Sequence, residues 1–505
     1  MIKTTGLNDY MKFLQWFFEQ VMPKYGFIPR QMQTELAKEI FGAMSDRGIF
    51  LAEAAVGTGK TLAYLLPAVL IRRGRINESM LGVKLPDGHT MPILIATSSI
   101  ALQKALITDY IPMLSEILME RSIIKKPLTA ALRKGKKHYL CERRFAGFCK
   151  TANTSTLAAL KPLHNYDIVD LSIVKGITSY MKHGINVVEQ CSQNCPLYGI
   201  CRYTQYLRSV NRGGYDFQVT NHNLFLADML HRVRDKRPIM PEYQAVIVDE
   251  AHKFLDAAQD MYGVELSLME LYRAAYDLSG FKFTPKQQTK DLISRAERVY
   301  SKSCLLFQFL NKEVPAYVKD DTDVGRFATK IRSRADKLIR DLKKDIDMLV
   351  EIMPHMLVTP KFAERYKYTK RALTHISEAL AGFTHHKDLI FWLEEGEHPP
   401  VIDEMKNNNS DLTILRGMSK ILGDLLYKDF WSKKIPMVLI SGTLSAAGSF
   451  EHVKRKTGLD NVPSTRLFET SKPSPFNFQK NSLLYISEKI PFPENTSPSY
   501  IKAVS

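Results

Sequence analysis

The sequence predicts an α/β fold built around a parallel sheet, with two inserted regions. Residues 49–52 form a short apolar run, which is followed by a turn of small residues and then by an amphipathic helical pattern. Residues 245–248 form a second apolar run, rich in β-branched residues, which is typical of a central strand in a parallel sheet. Three further segments are predicted strands of the same sheet: 93–96, 217–219 and 437–440.

The composition is that of a folded globular protein. Of the 505 residues, 45% are hydrophobic and 24% are charged. The length is expected to hold about three or four domains of about 150 residues each. The N-terminal segment carries Asp9 and Glu19 and has no small-residue cleavage site, so we expect no signal peptide. No stretch approaches about 18 uncharged apolar residues, so we expect no membrane span and a cytoplasmic location, where stable disulfides are rare.

The charge balance indicates a polyanionic partner. Seventy basic residues against 53 acidic residues give a net charge of +17, as expected of a protein that holds nucleic acid. Residues 133–144 concentrate positive charge beside a histidine and a tyrosine. Basic side chains neutralise phosphates and aromatic rings stack on unpaired bases, so we expect a nucleic-acid contact; the alternative is an ordinary solvated loop. The predicted phosphate contacts are Arg133, Lys134, Lys136 and Lys137.

Residues 54–61 form a phosphate-binding motif between the first predicted strand and a helix. The general pattern is Gly, four residues and Gly-Lys-Ser/Thr, and here alanine replaces the first glycine. Backbone N–H groups of such a loop point at phosphate oxygens, and the helix N-terminus adds positive potential. Lys60 is expected to reach the β- and γ-phosphates of ATP and Thr61 to hold Mg²⁺. The predicted nucleotide-binding residues here are Ala54, Ala55, Val56, Gly57, Thr58, Gly59, Lys60 and Thr61.

An Asp-Glu-Ala-His sequence follows the second predicted strand. Asp249 and Glu250 stand at its C-terminal end, where open α/β sheets bind their ligands. We expect Asp249 to orient Mg²⁺ through its water shell and Glu250 to orient and deprotonate the attacking water. With Lys60, these are the predicted catalytic residues. His252 is expected to couple the nucleotide site to a neighbouring domain, although such a histidine on its own would be structural.

Several stretches together resemble one family. Residues 54–61 and the Asp-Glu-Ala-His sequence look like those of superfamily 2 nucleic-acid motors. The finer similarity is to the DinG-type helicases, the bacterial branch of the XPD-like iron–sulfur helicases. The stretches that carry it are, in chain order, GFIPRQMQTEL, ILIATSSIALQKALI, KGKKHYLC, FQVTNHNLF, MVLISGTLSAAGSF and SPFNF. They cover nearly the whole chain, and in the fifth stretch Gly442 stands where the family has alanine.

The resemblance implies a fold and further site residues. The sheet would belong to a RecA-like motor domain, interrupted by an iron–sulfur cluster insertion and by a helical arch that closes over single-stranded DNA. Arg30 and Gln33 match the family's Arg-x-x-Gln, whose glutamine helps to read adenine, and they join His252 as predicted ATP-binding residues. Gln103 would lie near the DNA backbone.

Four of the six cysteines are predicted ligands. Four thiolates suit either a [4Fe–4S] cluster or a Cys₄ zinc site, and spacing alone leaves these two equal. The resemblance favours the iron–sulfur cluster. Cys149 is the alternative to Cys141 as fourth ligand, whereas Cys304 falls in a helical apolar pattern and is predicted to be core. The predicted ligands are Cys141, Cys191, Cys195 and Cys201.

The predicted domain order interrupts the first motor domain twice. That domain would comprise residues 1–112, 205–252 and 433–460, with the cluster insertion at 113–204, the helical arch at 253–432 and the start of a truncated second motor domain at 461–505. The family's late Gln-x-x-Gly-Arg segment, whose arginine reaches the γ-phosphate, is not found in the 505 residues. We therefore expect the 505-residue chain alone to be weakly active.

The resemblance implies an ATP-dependent DNA helicase that translocates 5′-to-3′ on single-stranded DNA. Its cofactors would be ATP, Mg²⁺ and the cluster. Its partners would be single-stranded DNA and DNA with single-stranded tails, in DNA repair or the resolution of replication conflicts. The alternative is a truncated, non-unwinding module that binds ATP and DNA and recruits partners. A helicase-like nuclease subunit is less favoured, because no acidic run with nuclease-like spacing stands out.

Overall fold

The computed structural model of this protein describes most of the chain. The described residues are 4–73, 91–188, 191, 193, 195–212, 214–280, 283–284, 286–314, 326–353, 357–358, 363–384, 388–397, 412–477 and 480. In these ranges the strands are β1 (Ile49–Ala54), β2 (Ile93–Thr97), β3 (Ala130–Leu132), β4 (Phe217–Thr220), β5 (Ala245–Asp249), β6 (Val264–Ser267), β7 (Phe283–Thr284), β8 (Arg326–Ala328), β9 (Leu357–Val358), β10 (Leu389–Glu395), β11 (Leu412–Ser419), β12 (Met437–Ser441) and β13 (Leu467–Lys472).

A seven-stranded parallel sheet lies at the centre of the molecule. Its order is β13-β1-β12-β5-β2-β4-β3, and every pairing in it is parallel. The five strands predicted from the sequence are its central members, because long apolar runs form strands that are covered on both faces. The prediction of an α/β fold with a RecA-like parallel sheet is confirmed.

Helices pack against the sheet and also form much of two further units, which are described below. In chain order they are α1 (Thr4–Trp16), α2 (Gln31–Ser45), α3 (Lys60–Arg73), α4 (Ile100–Ala105), α5 (Ile111–Glu120), α6 (Glu142–Cys149), α7 (Thr154–Leu160), α8 (Ser179–Ile185), α9 (Arg202–Asn211), α10 (His222–Val233), α11 (Phe254–Tyr262), α12 (Leu268–Ser279), α13 (Lys286–Lys312), α14 (Ser333–Ile352), α15 (Ala363–Thr384), α16 (Leu422–Leu426) and α17 (Glu451–Thr457). Among those the structure describes, none combines the length and hydropathy needed to cross a membrane.

Helix α3 differs from its prediction. The sequence predicts an amphipathic helix after the phosphate loop, but residues 62–72 are all buried. A helix that is apolar all round belongs in a core, and α3 packs against α2 in the same core cluster as β1. The helix that carries Lys60 is therefore held rigidly from all sides.

A small unit with its own core lies between β3 and β4. Residues such as Leu140, Phe145 and Leu163 form this core. The predicted start of the insertion at residue 113 needs correction. Helix α5 packs in the core of the motor domain and β3 pairs with β4 in the main sheet, so the separate packing begins after β3.

The region predicted as a helical arch also contains strands. Helices α12 to α15 share a core with a four-stranded antiparallel sheet of order β6-β11-β10-β8. The ends of the predicted range pack elsewhere, because α11 and α16 belong to the core on one face of the main sheet. By its packing, this second unit therefore begins with β6 and ends with β11.

Strand β13 corrects the prediction for the last segment. Residues 461–505 were predicted to start a second motor domain, yet β13 pairs in parallel with β1 along its whole length. It is an edge strand of the first sheet. Most of the remaining predicted segment, residues 478–479 and 481–505, lies outside the described residues.

Candidate active site and adjoining cavity

The phosphate loop lies at the carboxyl end of β1 and leads directly into α3. Gly57 and Gly59 both have left-handed backbone angles, with φ of 91° and 82°, which glycine adopts without steric cost. The buried Thr58 hydroxyl donates to the Ala55 carbonyl at 2.8 Å. These features fix the loop as a compact turn beneath the start of the helix.

The predicted Arg-x-x-Gln residues meet this loop. The Arg30 guanidinium donates to the Gly57 carbonyl. Gln33 Nε2 donates to the Gly59 carbonyl at 2.9 Å from the first turn of α2. Lys60 Nζ lies over the loop and donates to the Ala54 carbonyl at 3.1 Å. The structure therefore brings together residues that are about 26 positions apart in the sequence.

The two predicted carboxylates stand in different environments at the end of β5. Asp249 is only 2% exposed, and burial raises its pKa. Its Oδ1 accepts from the Glu250 backbone N–H at 2.8 Å, and its Oδ2 accepts from the Tyr64 hydroxyl at 2.9 Å. Glu250 has a left-handed φ of 53° and a side chain that is one-third exposed. The Asp249 carboxylate is thus buried and fixed by two hydrogen bonds, whereas the Glu250 carboxylate is partly exposed to solvent.

His252 connects the acidic motif to β12. Its Nδ1 lies 2.7 Å from Ser441 Oγ and 3.4 Å from Glu250 Oε2. The residue after Ser441 is Gly442, where an added Cβ would stand 3.4 Å from Lys60 Nζ. The ends of β1, β5 and β12 therefore meet around Lys60. Coupling of His252 to a neighbouring domain stays a prediction, since the contact made here is within the motor sheet.

Three site residues were missed by sequence reasoning. The Tyr64 hydroxyl bonds Asp249 from α3. Glu53 accepts from the Leu444 and Ser445 backbone N–H groups, and these bonds outweigh burial, so that the net pKa of Glu53 is lowered. The buried His222 places Nε2 2.9 Å from the Asp249 carbonyl, and burial lowers its pKa. A usable signal was the acidic Glu53 inside an otherwise apolar strand.

The segment after β13 lies along the outer side of the loop. The Lys472 carbonyl accepts from the Ala55 N–H at 3.1 Å. The Ser474 hydroxyl donates to the Val56 carbonyl at 3.3 Å. The Phe476 ring rests on Gly57 so closely that an added Cβ would lie 2.2 Å from it. Residues 472–476 therefore lie alongside the phosphate loop and contact three of its successive residues, 55, 56 and 57.

The four predicted cysteine ligands are neighbours in the small unit. Cys141, Cys191 and Cys201 pack against the cluster of Tyr139, Val187 and Tyr203. Burial raises the pKa of the Cys191 thiol, and the adjacent thiols of Cys141, Cys201 and Cys195 raise it further. None of the four is in a disulfide. Within the described ranges, however, no three His, Cys, Asp or Glu side chains are grouped so as to hold one metal ion.

The remaining two cysteines lie elsewhere. Cys149 packs against the separate core around Phe145, away from the cluster that contains Cys141. Cys304 packs against the core of the second unit, as the helical pattern predicts. Of the two candidates for fourth ligand, Cys141 is therefore the one that lies beside Cys191.

Two predicted DNA contacts, Arg133 and Gln103, are largely buried and are hydrogen-bonded within the protein. Arg133 is 3% exposed and donates to Asn211 Oδ1 at 2.7 Å and to the Ile239 carbonyl at 2.6 Å. Gln103 is 5% exposed and donates to the Thr97 carbonyl at 2.9 Å. Both side chains therefore have partners within the protein, although Arg133 also lines the cavity that contains the neighbouring lysines.

The lysines of the same basic segment are placed differently. Lys134 is largely buried, and its Nζ lies 2.6 Å from Asp170 Oδ2. Lys136 and Lys137 are exposed on a short 3₁₀ turn. All three line a cavity of about 1640 Å³ that is bounded by the cysteine-bearing unit, the motor domain and the second unit. Aromatic lining comes from Tyr139, Tyr198, Tyr203 and Tyr368.

Comparison with known proteins identifies relatives along nearly the whole chain, although no family model matches it. The chain is 23% identical over 537 residues to "3′-5′ exonuclease DinG" of Bacillus subtilis, covering 96% of this chain and 52% of that protein. It is 24% identical over 486 residues to "ATP-dependent DNA helicase YoaA" of Haemophilus influenzae, covering 92% and 67%. It is 23% identical over 521 residues to "ATP-dependent DNA helicase DinG" of Photobacterium profundum, covering 91% and 69%.

These matches confirm the predicted similarity to DinG-type proteins. The chain spans about half the length of the Bacillus subtilis relative and about two thirds of the other two. Among solved structures, the "Structure of S. tokodaii Xpd4" matches with a TM-score of 0.37 and 13% identity, covering 88% of this chain and 60% of that one.

Proposed function

We propose that this chain is the nucleotide-binding and DNA-holding part of a DinG-type, ATP-driven DNA helicase. The observation that carries the proposal is the meeting of Lys60, Asp249 and Glu250 at the carboxyl ends of β1 and β5. A phosphate-binding loop beside a paired Asp and Glu suits phosphoryl transfer to water. Relatives that match more than nine tenths of the chain are named ATP-dependent DNA helicases.

The proposed chemistry assigns one task to each side chain. Lys60 and the loop N–H groups bind the phosphates of ATP. Thr61 and Asp249 offer a hydroxyl and a carboxylate, the hard oxygen ligands that Mg²⁺ prefers, and Mg²⁺ neutralises charge on the phosphates when bound. Glu250 accepts a proton from water as the water oxygen bonds to the γ-phosphorus. The bond to the β–γ bridging oxygen breaks, and ADP leaves with that oxygen.

The DNA path in this proposal is the cavity of about 1640 Å³. Exposed Lys136 and Lys137 can neutralise phosphates, and Tyr198 and Tyr368 offer rings to unpaired bases. The cavity is bounded by three units, so a change in how they pack would change its shape. We propose single-stranded DNA, including single-stranded tails, as the occupant, with 5′-to-3′ movement, as in the family that the motifs resemble.

A [4Fe–4S] cluster is proposed for the four neighbouring cysteines. The donor set fits in chemistry, since three thiols that form no disulfide lie near the Cys191 thiol, which gives four in all. Cys141, Cys191, Cys195 and Cys201 would hold the cluster, which would brace the small unit beside the DNA cavity. Zinc would use the same four thiolates and is the outcome that contradicts this part of the proposal.

Nucleotide and DNA binding test the motor proposal. Lys60→Ala should abolish nucleotide binding, because it removes the ammonium that reaches the phosphates. Glu250→Gln should leave binding intact and should change little the rate of ATP hydrolysis, which is expected to be low already in the 505-residue chain alone. Equilibrium titration and steady-state ATPase assays measure the two effects. Binding of single-stranded DNA without any nucleotide binding would contradict the proposal and favour a non-enzymatic DNA-binding module.

Anaerobic purification tests the cluster. The protein should be brown, with broad visible absorption and about four iron atoms per chain. Cys195→Ser should lose the colour, whereas Cys149→Ser should keep it because Cys149 packs in the other core of this unit. A colourless protein that holds zinc would refute the iron–sulfur assignment.

A further inference from the structure

Tyr64 joins the phosphate-binding helix to the buried aspartate of the acidic motif. It lies one helical turn after Lys60 on α3 and is completely buried. Its hydroxyl donates to Asp249 Oδ2 at 2.9 Å, across 185 positions of sequence. The Glu250 N–H donates to the other oxygen, Oδ1, at 2.8 Å. Each oxygen of the carboxylate therefore accepts one hydrogen bond from the protein.

Two donors on different elements fix the plane of the Asp249 carboxylate. The Glu250 N–H comes from the turn after β5, whereas the Tyr64 hydroxyl comes from α3. Removing the Tyr64 hydroxyl would leave the carboxylate held through Oδ1 alone and would leave the buried Oδ2 without this donor. Since Thr61 and Lys60 are on the same helix as Tyr64, the bond also sets the distance from Asp249 to the phosphate-binding groups.

We propose that Tyr64 is a positioning residue, which holds the Asp249 carboxylate in the orientation that binds Mg²⁺ together with the nucleotide. This inference rests on the proposed function, because it assigns Tyr64 a task in the same site. Outer partners that orient metal ligands typically contribute about 10- to 100-fold to metal affinity or activity. A residue that only filled the core would affect folding and leave the Mg²⁺ dependence unchanged.

The test is an equilibrium titration of the full chain with a fluorescent ADP analogue, in EDTA and across a range of Mg²⁺ concentrations. For wild type, the affinity should rise with Mg²⁺. For Tyr64→Phe, the Mg²⁺ concentration that gives half of this rise should increase by about 10-fold or more. The affinity in EDTA should stay unchanged, because Lys60 and the loop N–H groups are intact.

A matched control removes the same kind of bond elsewhere. The Tyr262 hydroxyl donates to Asp429 Oδ2 at 2.6 Å, away from the phosphate loop. Tyr262→Phe should therefore leave the Mg²⁺ dependence as in wild type. Tyr64 also bonds the Thr61 side chain, so in an Asp249→Asn background adding Tyr64→Phe should change the Mg²⁺ dependence less than it does in wild type.

The outcomes separate the inference from the function on which it rests. Wild type without Mg²⁺-dependent nucleotide binding would overturn the proposed function. Wild-type Mg²⁺ dependence in Tyr64→Phe, or an equal loss of affinity with and without Mg²⁺, would overturn the positioning role alone. If Tyr64→Phe does not unfold cooperatively, and so is not properly folded, Tyr64→Met takes its place, because the flexible methionine side chain fills irregular core space. The same shift in Mg²⁺ dependence is then required of Tyr64→Met.

Discussion

Replacing Glu53 with alanine should open the turn that faces the phosphate loop. Oε2 of Glu53 accepts from the backbone N–H groups of Leu444 and Ser445, both at 2.6 Å. Its Oε1 accepts from the Ser445 hydroxyl at 2.9 Å. One carboxylate at the end of β1 therefore holds the turn that follows β12. Alanine would leave all three donors without this acceptor.

The size of the effect follows from those bonds. A hydrogen bond to a charged group contributes about 1.5–3 kcal/mol, and about 1.4 kcal/mol corresponds to a factor of ten. Amide exchange at Leu444 and Ser445 should therefore become about 10- to 100-fold faster in Glu53→Ala. Glu53→Gln keeps an oxygen acceptor but loses the charge, and charge-assisted bonds are about twice as strong as neutral ones. Its effect should be clearly smaller.

Hydrogen exchange of the peptide that spans residues 442–446 measures this directly. Glu397→Gln is a suitable control, because it removes an acidic side chain that is 71% exposed and belongs to the second unit. It should leave the exchange of the peptide unchanged. If Glu53→Ala also left exchange at Leu444 and Ser445 unchanged, these amides would have their stabilising partners elsewhere and the reasoning would be wrong.

Salt, pH and two glycines offer further tests. Replacing Lys136 and Lys137 with alanine should reduce the slope of log affinity for single-stranded DNA against log salt by about 0.7 per lost phosphate contact; an unchanged slope in fluorescence anisotropy would assign them to a solvated loop. Because the folded-state pKa of Glu53 is lowered, protection of the turn should be complete above the unfolded-state pKa and be lost as pH falls through the folded one; equal protection in acid would contradict this. In nucleotide titrations Gly57→Ala should weaken binding, because φ is 91° and the Phe476 ring is close, whereas Gly442→Ala should be tolerated; the reverse order would refute the loop geometry.

The sequence predicted those parts of the molecule that are marked by consecutive residues. The phosphate loop is eight consecutive residues between a strand and a helix, and the acidic pair directly follows an apolar run. Central strands were found for the same reason, since burial on both faces makes each one continuously apolar. Strand β13 was missed because its last four residues are all polar and it lies at the sheet edge.

The parts that sequence did not predict depend on contacts between distant residues. Nothing in a helical apolar run marks Tyr64 as the partner of an aspartate 185 positions away. Charge counts likewise do not show which basic side chain is used internally. Arg133 and Lys137 look alike in the sequence, yet Arg133 is hydrogen-bonded to Asn211 and to the Ile239 carbonyl, whereas Lys137 is exposed.

The end of β12 and the turn that follows it connect the acidic motif to the strand that precedes the phosphate loop. Ser441 Oγ lies 2.7 Å from His252 of the acidic motif, and Leu444 is bonded to Glu53 at the base of the phosphate loop. β12 lies between β1 and β5, the two strands that carry those motifs. The turn therefore cannot shift without straining a bond to one of them. The end of β12 and the turn after it therefore contact both the strand that leads into the phosphate loop and the acidic motif.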